Sequence, residues 1–277
     1  MPDPAKSSLD EVIKMYSAVV VTGGSSGIGK SFIKLVAKVH PGTVVCNLSR
    51  RNPDINLGEL KLSHVPCDLN EPEQISNGVK SVLSILERDV PEGRVLLINN
   101  SGYGSHGPFL EADLGNELGI LDVNIRALVE ITGRLLPTLK RRGGAIINVA
   151  STAAFQPTPL LATYGASKAF VLNWSLALRA ELSDYDIRVL ALCPGPTSTG
   201  FAARAGVKSG SVPGGVGHSP EEVVEKAFKA LARRKAYVIV GAKNWLVAAF
   251  ASHLPKTWTA ALARRLIGRV QPAAKTP

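Results

Sequence analysis

Apolar positions along the chain follow two periods. Short aliphatic, β-branched runs at 18–21, 43–48, 62–65, 95–98, 145–149 and 188–193 have the length and composition of buried strands, and another stands near 237–240. Between them, apolar residues recur every three or four positions over 30–40, closed by Pro41-Gly42, and again over 74–88, 116–139 and 164–182. Segment 52–61 carries only Pro, Asp, Asn and Gly punctuation and predicts no helix. Strands alternating with helices predict an α/β fold: a Rossmann-like, doubly wound parallel sheet with helices on both faces. Ligands of such a sheet bind in the crevice beyond the carboxyl ends of its strands.

Composition narrows the classes. The 277 residues, 45% of them hydrophobic, suffice for one large core. The first fifteen residues carry Asp3, Asp10, Glu11 and several lysines without a central apolar run, unlike a secretory signal, and the run at 245–251 is too short to span a bilayer. A cytoplasmic protein is expected. Cys46, Cys67 and Cys193 lie in or beside strand runs at spacings that match no metal motif, so they read as reduced core residues and no metal is expected. The net charge of +10 is spread over helix surfaces and the C-terminal tail, without a DNA-binding signature, and no nucleic-acid partner is expected. Such a basic surface would still attract phosphates, carrier proteins or lipid headgroups.

Candidate chemistry gathers at strand ends. The first strand runs directly into Thr22-Gly23-Gly24-Ser25-Ser26-Gly27-Ile28-Gly29 and then into a helix. This is the first half of a dinucleotide-binding unit: glycines let the backbone approach a pyrophosphate, and the helix N-terminus offers unpaired N–H groups. About twenty positions beyond the glycines, where an NAD site carries an acidic residue, stands Ser49 followed by Arg50 and Arg51. Two guanidinium groups can clamp a 2′-phosphate, which points to NADP(H); the alternative is a pair of ordinary surface arginines. Tyr164 and Lys168 lie four apart, on one helix face. A cation beside a phenol favours its ionised form, so the pair can move a proton, although the same spacing also occurs on solvated faces.

With Thr22-Gly23-xxx-Gly27-x-Gly29, Asn99-Asn100-Ser101-Gly102, Asn124, Ser151, Tyr164-xxx-Lys168 and Pro194-Gly195 in this order, the chain resembles the short-chain dehydrogenase/reductase family over 16–241. The resemblance implies a catalytic set of Asn124, Ser151, Tyr164 and Lys168. Ser151 would hydrogen-bond the reacting oxygen, Tyr164 would act as general acid or base, Lys168 would depress the Tyr164 pKa and hold the nicotinamide ribose, and Asn124 would position a relay water. Their plainer roles are a helix cap for Ser151, a helix-kink partner for Asn124 and a surface charge for Lys168. The implied cofactor contacts begin with Gly23, Ser25, Ser26, Gly27, Ile28 and Gly29, with Arg50 and Arg51 at the 2′-phosphate. Asp68 and Leu69 would hold the adenine edge and Asn100 the ribose region. Gly102, Tyr164, Lys168, Pro194, Gly195, Thr197 and Thr199 would complete the set, Thr197 offering its backbone to the carboxamide.

The expected activity is NADPH-dependent hydride transfer to an apolar ketone, aldehyde or oxoacyl carbonyl. Alternatives are an alcohol dehydrogenase acting on a steroid, sugar or acyl alcohol, and a non-catalytic NADP sensor. Residues 1–15 form a polar lead-in, 16–241 the catalytic domain and 242–277 an amphipathic tail. Three departures from the family stand out: Ser101 in the Asn-Asn turn, the missing helix after Arg51, and a Gly/Ser-rich lid at 196–219 with Gly206, Gly210, Gly214, Gly215 and Gly217. In the tail, Trp245, Leu246, Ala249 and Phe250, then Trp258, Leu262 and Leu266, recur at helical spacing, and Pro255 should divide two helices. That stripe fits a cover over the substrate crevice, a contact between subunits of a homo-oligomer, or a peripheral membrane contact.

Overall fold

The structure, a computed structural model, describes residues 8–55, 58–207 and 217–268. Its strands are β1 Tyr16–Thr22, β2 Val44–Ser49, β3 Lys61–Pro66, β4 Arg94–Asn99, β5 Gly144–Val149, β6 Ile187–Cys193 and β7 Tyr237–Ile239. They form one parallel sheet in the order β3-β2-β1-β4-β5-β6-β7. The helices are α1 Leu9–Lys14, α2 Gly27–Val39, α3 Pro72–Asp89, α4 Leu114–Leu121, α5 Ala127–Arg142, α6 Ala162–Glu181, α7 Phe201–Arg204, α8 Pro220–Ala232, α9 Ala242–His253 and α10 Lys256–Ile267. Strand order reverses between β1 and β4, so the crevice of a doubly wound sheet opens there.

The periods of the sequence explain both layers. β2 and β5 are buried along their whole length, and strands covered on both faces read as unbroken aliphatic runs. On one face, Phe32 of α2 meets Phe228 of α8 edge to face at 5.7 Å, and Val12 and Ile13 of α1 join the same core. α1 lies inside the expected lead-in, where a reciprocal Ser8–Glu11 capping box begins it. On the other face α3 presents Ile75, Val79, Val82 and Leu86, one stripe of a 3.6-residue period, beside Ile131, Leu135 and Leu139 of α5. All three cysteines are free and buried, and burial pushes the Cys46 and Cys193 thiols up to about 12 and Cys67 to about 11.

Two expectations change. The single helix expected over 116–139 is interrupted: α4 and α5 are joined by a π turn, Asp122–Arg126. Asn124 lies in that turn and exchanges two hydrogen bonds with the Tyr103 backbone, Tyr103 N to Asn124 Oδ1 at 3.1 Å and Asn124 Nδ2 to Tyr103 O at 3.0 Å. This tertiary tie supplies a reason for the helix to widen there. The tail does form two helices around Pro255, but α9 buries Ala248 and Ala251 while Trp245, Leu246 and Phe250 stay exposed. Within the lid, 208–216, with Gly210, Gly214 and Gly215, lies outside the described residues, as does the side chain of Leu266. Among the described residues no helix is long and apolar enough to cross a membrane.

Candidate active site

The ends of β1 and β4 are laced together. Thr22 Oγ1 accepts from the Asn100 and Ser101 N–H groups, both at 3.0 Å, and Asn100 Nδ2 donates to Thr22 O at 2.9 Å and Gly23 O at 3.2 Å. A Cβ on Gly29 would collide with the Gly23 carbonyl and the Asn100 amide, so glycine there lets α2 start against the turn. Ser26 occupies the N-cap position of α2 without a capping side-chain bond, which leaves that helix end to another acceptor. Ser25, Ile28 and the other loop residues follow this path.

Asn47, not singled out by the sequence reading, organises the neighbouring corner. Its Oδ1 accepts from Gly24 N at 2.7 Å and its Nδ2 donates to Ser49 Oγ at 2.7 Å; Ser49 Oγ donates to Arg51 O at 2.7 Å. The glycine turn and the Arg50-Arg51 turn are therefore one hydrogen-bonded unit. Arg50 and Arg51 are exposed, with Arg50 Nη1 3.9 Å from Asp68 Oδ2. The Asp68 carboxylate also accepts from Asn70 N at 3.0 Å, and Leu69 is buried. A third cation feels them: Arg204 of α7 is an exposed residue, and partial burial of its guanidinium, then the like charges of Arg51 and Arg50, holds it below its ordinary value. Nothing in the spacing of the sequence places Arg204 beside that pair.

Ser151, Tyr164 and Lys168 converge at the end of β5. Ser151 Oγ accepts from Ala153 N at 3.2 Å and caps the short turn Thr152–Phe155, the plainer role, while its hydroxyl also lowers the Tyr164 pKa. Burial is the larger influence on Tyr164 and raises the phenol above its ordinary value. This corrects the expectation from charge alone, because desolvation disfavours phenolate more strongly than its neighbours favour it. Lys168 is no surface charge. It is 5% exposed, its Nζ donates to Val149 O at 2.8 Å and lies 5.9 Å from the Tyr164 ring centroid, and burial lowers it to about 8. A Cβ on Gly102 would stand 3.0 Å from Asn124 Oδ1 and 3.1 Å from Lys168 Nζ, which puts all three at one point of the crevice.

Ser167 connects the rest. Its Oγ accepts from Asn124 Nδ2 at 2.9 Å and donates to Tyr164 O at 2.7 Å, so the π turn is fastened to the tyrosine's own helix turn. Beyond β6, Pro194 O accepts from Thr152 N at 2.9 Å and Thr197 Oγ1 donates to Gly195 O at 3.0 Å. Thr199 Oγ1 accepts from Phe201 N at 3.3 Å, and the Phe201 ring sits 5.1 Å from that of Tyr164. α9 packs on Thr152–Phe155, and Lys256 Nζ donates to Phe155 O at 3.1 Å. The tail thus braces the turn after Ser151 and turns its aromatic stripe outward.

A doubly wound sheet with a glycine turn and a Ser–Tyr–Lys cluster at its carboxyl edge defines a nicotinamide-dependent oxidoreductase of the Rossmann type. The family model of short chain dehydrogenases matches residues 17–209, and the chain belongs to that family. It is 30% identical to "Ketoacyl reductase HetN" of Nostoc sp., over 80% of this chain and 77% of that one. A short chain dehydrogenase from Burkholderia cenocepacia J2315 in complex with NADP superposes with a TM-score of 0.71 at 27% identity, covering 90% of this chain and 96% of that one. The 3-ketoacyl-(acyl-carrier-protein) reductase from Brucella melitensis complexed with NADH gives 0.68 at 26%, covering 80% and 96%.

Proposed function

We propose that the chain is an NADPH-dependent reductase that delivers hydride to an apolar ketone, aldehyde or oxoacyl carbonyl. The observation that carries this reading is the convergence of Ser151, Tyr164 and Lys168 in the crevice that also holds the glycine turn. The residues fit a dinucleotide: α2 begins without a side-chain cap, and Arg50, Arg51 and Arg204 gather like charges at the corner a 2′-phosphate would neutralise. The nicotinamide, when bound, supplies the hydride. Ser151 Oγ holds the carbonyl oxygen, and Tyr164, kept protonated by burial, gives it a proton. Lys168, cationic below about pH 8, offers positive charge beside the phenol. Phe201 covers the tyrosine and helps to exclude water.

The test is nucleotide oxidation at neutral pH over a panel of aliphatic ketones, aldehydes and 3-oxoacyl thioesters, with NADPH and NADH in parallel. Accelerated oxidation with a clear NADPH preference is expected. Binding of NADPH without acceleration by any carbonyl would leave a sensor in place of an enzyme, and equal use of both nucleotides would remove the cofactor assignment.

The reduced cysteines fit a cytoplasmic location. Exposed Leu114, Leu118 and Leu121 on α4 support a homo-oligomer. Trp245, Phe250 and Trp258 are 53%, 66% and 69% exposed, and Lys243, Lys256, Arg264 and Arg265 lie along the same tail, a pairing that suits an anionic lipid surface. The full chain should sediment with phosphatidylserine vesicles, and a chain ended after Val240 should not. Equal sedimentation of the two would remove the lipid reading.

A further inference from the structure

The lid helix α7 is held lightly. It has four residues, too few to be stable on its own. Ala205 and Val207 pack with Phe201 and Ala202 in a small apolar cluster, separate from the clusters that cover the two sheet faces. That unit is tied to the catalytic side by the Phe201 ring, 5.1 Å from the ring of Tyr164, and by Ala205 O, which accepts from His106 N at 2.9 Å. An element outside the main cores opens at low free-energy cost, so a ligand that touches it changes how much of the time it is in place.

The same helix lies beside the nucleotide corner. Just before it, Thr199 packs on the glycine turn: a Cβ on Gly27 would stand 3.1 Å from Thr199 Cγ2. Arg204 Nε donates to Gly200 O at 3.4 Å, back toward that turn. Arg204 is exposed, and its guanidinium feels the charges of Arg51 and Arg50, which are exposed as well. Among the described residues Arg204 and Arg51 form no ion pair, and Arg50 has only Asp68, at 3.9 Å. Three guanidinium groups against one loosely held carboxylate leave a positive corner open to a phosphate dianion. Phe201 and Arg204 stand three apart on α7, the spacing at which helical side chains are neighbours. One short helix thus carries both the ring against Tyr164 and the lid's cation.

We infer that α7 couples the two halves of the site: a 2′-phosphate held by Arg50, Arg51 and Arg204 keeps Phe201 seated on Tyr164, so a phosphorylated nucleotide orders the catalytic side of the crevice and an unphosphorylated one does not. The inference rests on the reading of Arg50 and Arg51 as the phosphate clamp. Arg204 is then a positioning residue, acting on Tyr164 through Phe201. Coupling of this kind is reciprocal, so whatever packs beneath Phe201 tightens the phosphorylated nucleotide by the same factor.

The test uses the full chain with NADP+ and NAD+, which differ only in the 2′-phosphate and can be held at saturation without turnover. Hydrogen exchange is followed at the amides that close α7: Arg204 N to Gly200 O at 3.2 Å, Ala205 N to Phe201 O at 2.9 Å and Val207 N to Ala202 O at 2.9 Å. NADP+ should slow these amides about 5-fold or more relative to NAD+, the scale of an ordinary coupling free energy. Arg204→Gln should abolish that difference and raise the NADP+ dissociation constant about 10-fold or more, the scale of a charge-assisted hydrogen bond, with NAD+ unchanged. Arg204→Lys keeps the charge and should retain part of both effects. Equal slowing by the two nucleotides, or a difference that survives in Arg204→Gln, overturns the inference.

The affinities separate this failure from failure of the cofactor reading. Equal affinity of the parent chain for NADP+ and NAD+ would remove the phosphate clamp and the coupling with it. A parent chain that prefers NADP+, yet exchanges its α7 amides alike in the two complexes, keeps the clamp and loses the coupling alone.

Discussion

Replacing Lys168 with methionine should leave the isolated chain as stable at neutral pH as before, or more so, while removing turnover. The ammonium is 5% exposed, and burial lowers it from an ordinary 10.5 to about 8. Below pH 8 the group is charged in the folded and unfolded chain alike, and the full cost of burying that charge is present. Between about 8 and 10.5 the unfolded chain holds a proton that the folded chain has released, so stability rises with pH through this window. At about 1.4 kcal/mol for each tenfold, the cost at pH 7 is about 3 kcal/mol. Methionine keeps an unbranched apolar stem and removes the charge. Against that gain, Val149 O loses its 2.8 Å donor, and a buried acceptor without a partner costs about 1–3 kcal/mol. The balance is a stabilisation of about 0–2 kcal/mol at pH 7 that becomes a net loss near pH 10, where the gain has disappeared. Urea unfolding of both chains at pH 7 and pH 10, with NADPH turnover measured in parallel, tests this directly. A methionine variant that loses more than about 1 kcal/mol at both pH values alike would show that the ammonium is not desolvated as argued.

Tyr164→Phe removes only the hydroxyl, so turnover should fall about 10²-fold or more while NADPH titrates as before; activity within a few-fold of the parent would sink the acid assignment. Substituting Arg50 and Arg51 together by alanine should weaken NADPH binding by about 2–4 kcal/mol and leave NADH within a few-fold, as fluorescence titration of both nucleotides would show. Ser175→Ala takes away the oxygen that accepts from Asn148 Nδ2 at 2.9 Å, inside a buried chain in which Asn99 Nδ2 donates to Asn148 Oδ1 and Thr132 Oγ1. It should cost about 1–3 kcal/mol in urea unfolding without changing turnover per folded molecule; an unchanged midpoint would mean the network adds nothing.

The strands were legible because parallel strands buried on both faces leave unbroken aliphatic runs, and the glycine turn was legible because close backbone approach leaves few residue types possible. What periodicity could not show were features imposed from outside an element. The apolar period over 116–139 does not announce a π turn, and only the plainer role of Asn124 as a helix-kink partner hinted at it, because its cause is the paired bond between Asn124 and the backbone of Tyr103, twenty-one positions away in the chain. α1 was hidden by its polar surroundings, although Ser8 and Glu11, three apart, were the available capping signal. Proximity in sequence suggested that Lys168 lowers the phenol, but the sign is decided by burial, which a helix-face argument does not measure. The tail failed in the same way: helical spacing located the stripe of Trp245 and Phe250, while the small residues Ala248 and Ala251 supply the packing face.

Buried polar side chains of the framework and charged groups at the carboxyl edge are held in different ways. Asn99, Asn148, Thr132 and Ser175 are buried within the framework and bond one another, although Asn99 Oδ1 has no partner among the described residues. At the carboxyl edge Lys168 is charged at neutral pH where charge is disfavoured, and the Arg204 guanidinium feels the like charges of Arg51 and Arg50. Each of these is a liability to the isolated chain that an anionic, hydrogen-bonding ligand would relieve, and ligands that bind the folded state stabilise it by mass action. The cost of each group therefore marks where binding free energy is available. It follows that substitutions at this edge should separate stability from activity, while those in the framework should lower stability alone.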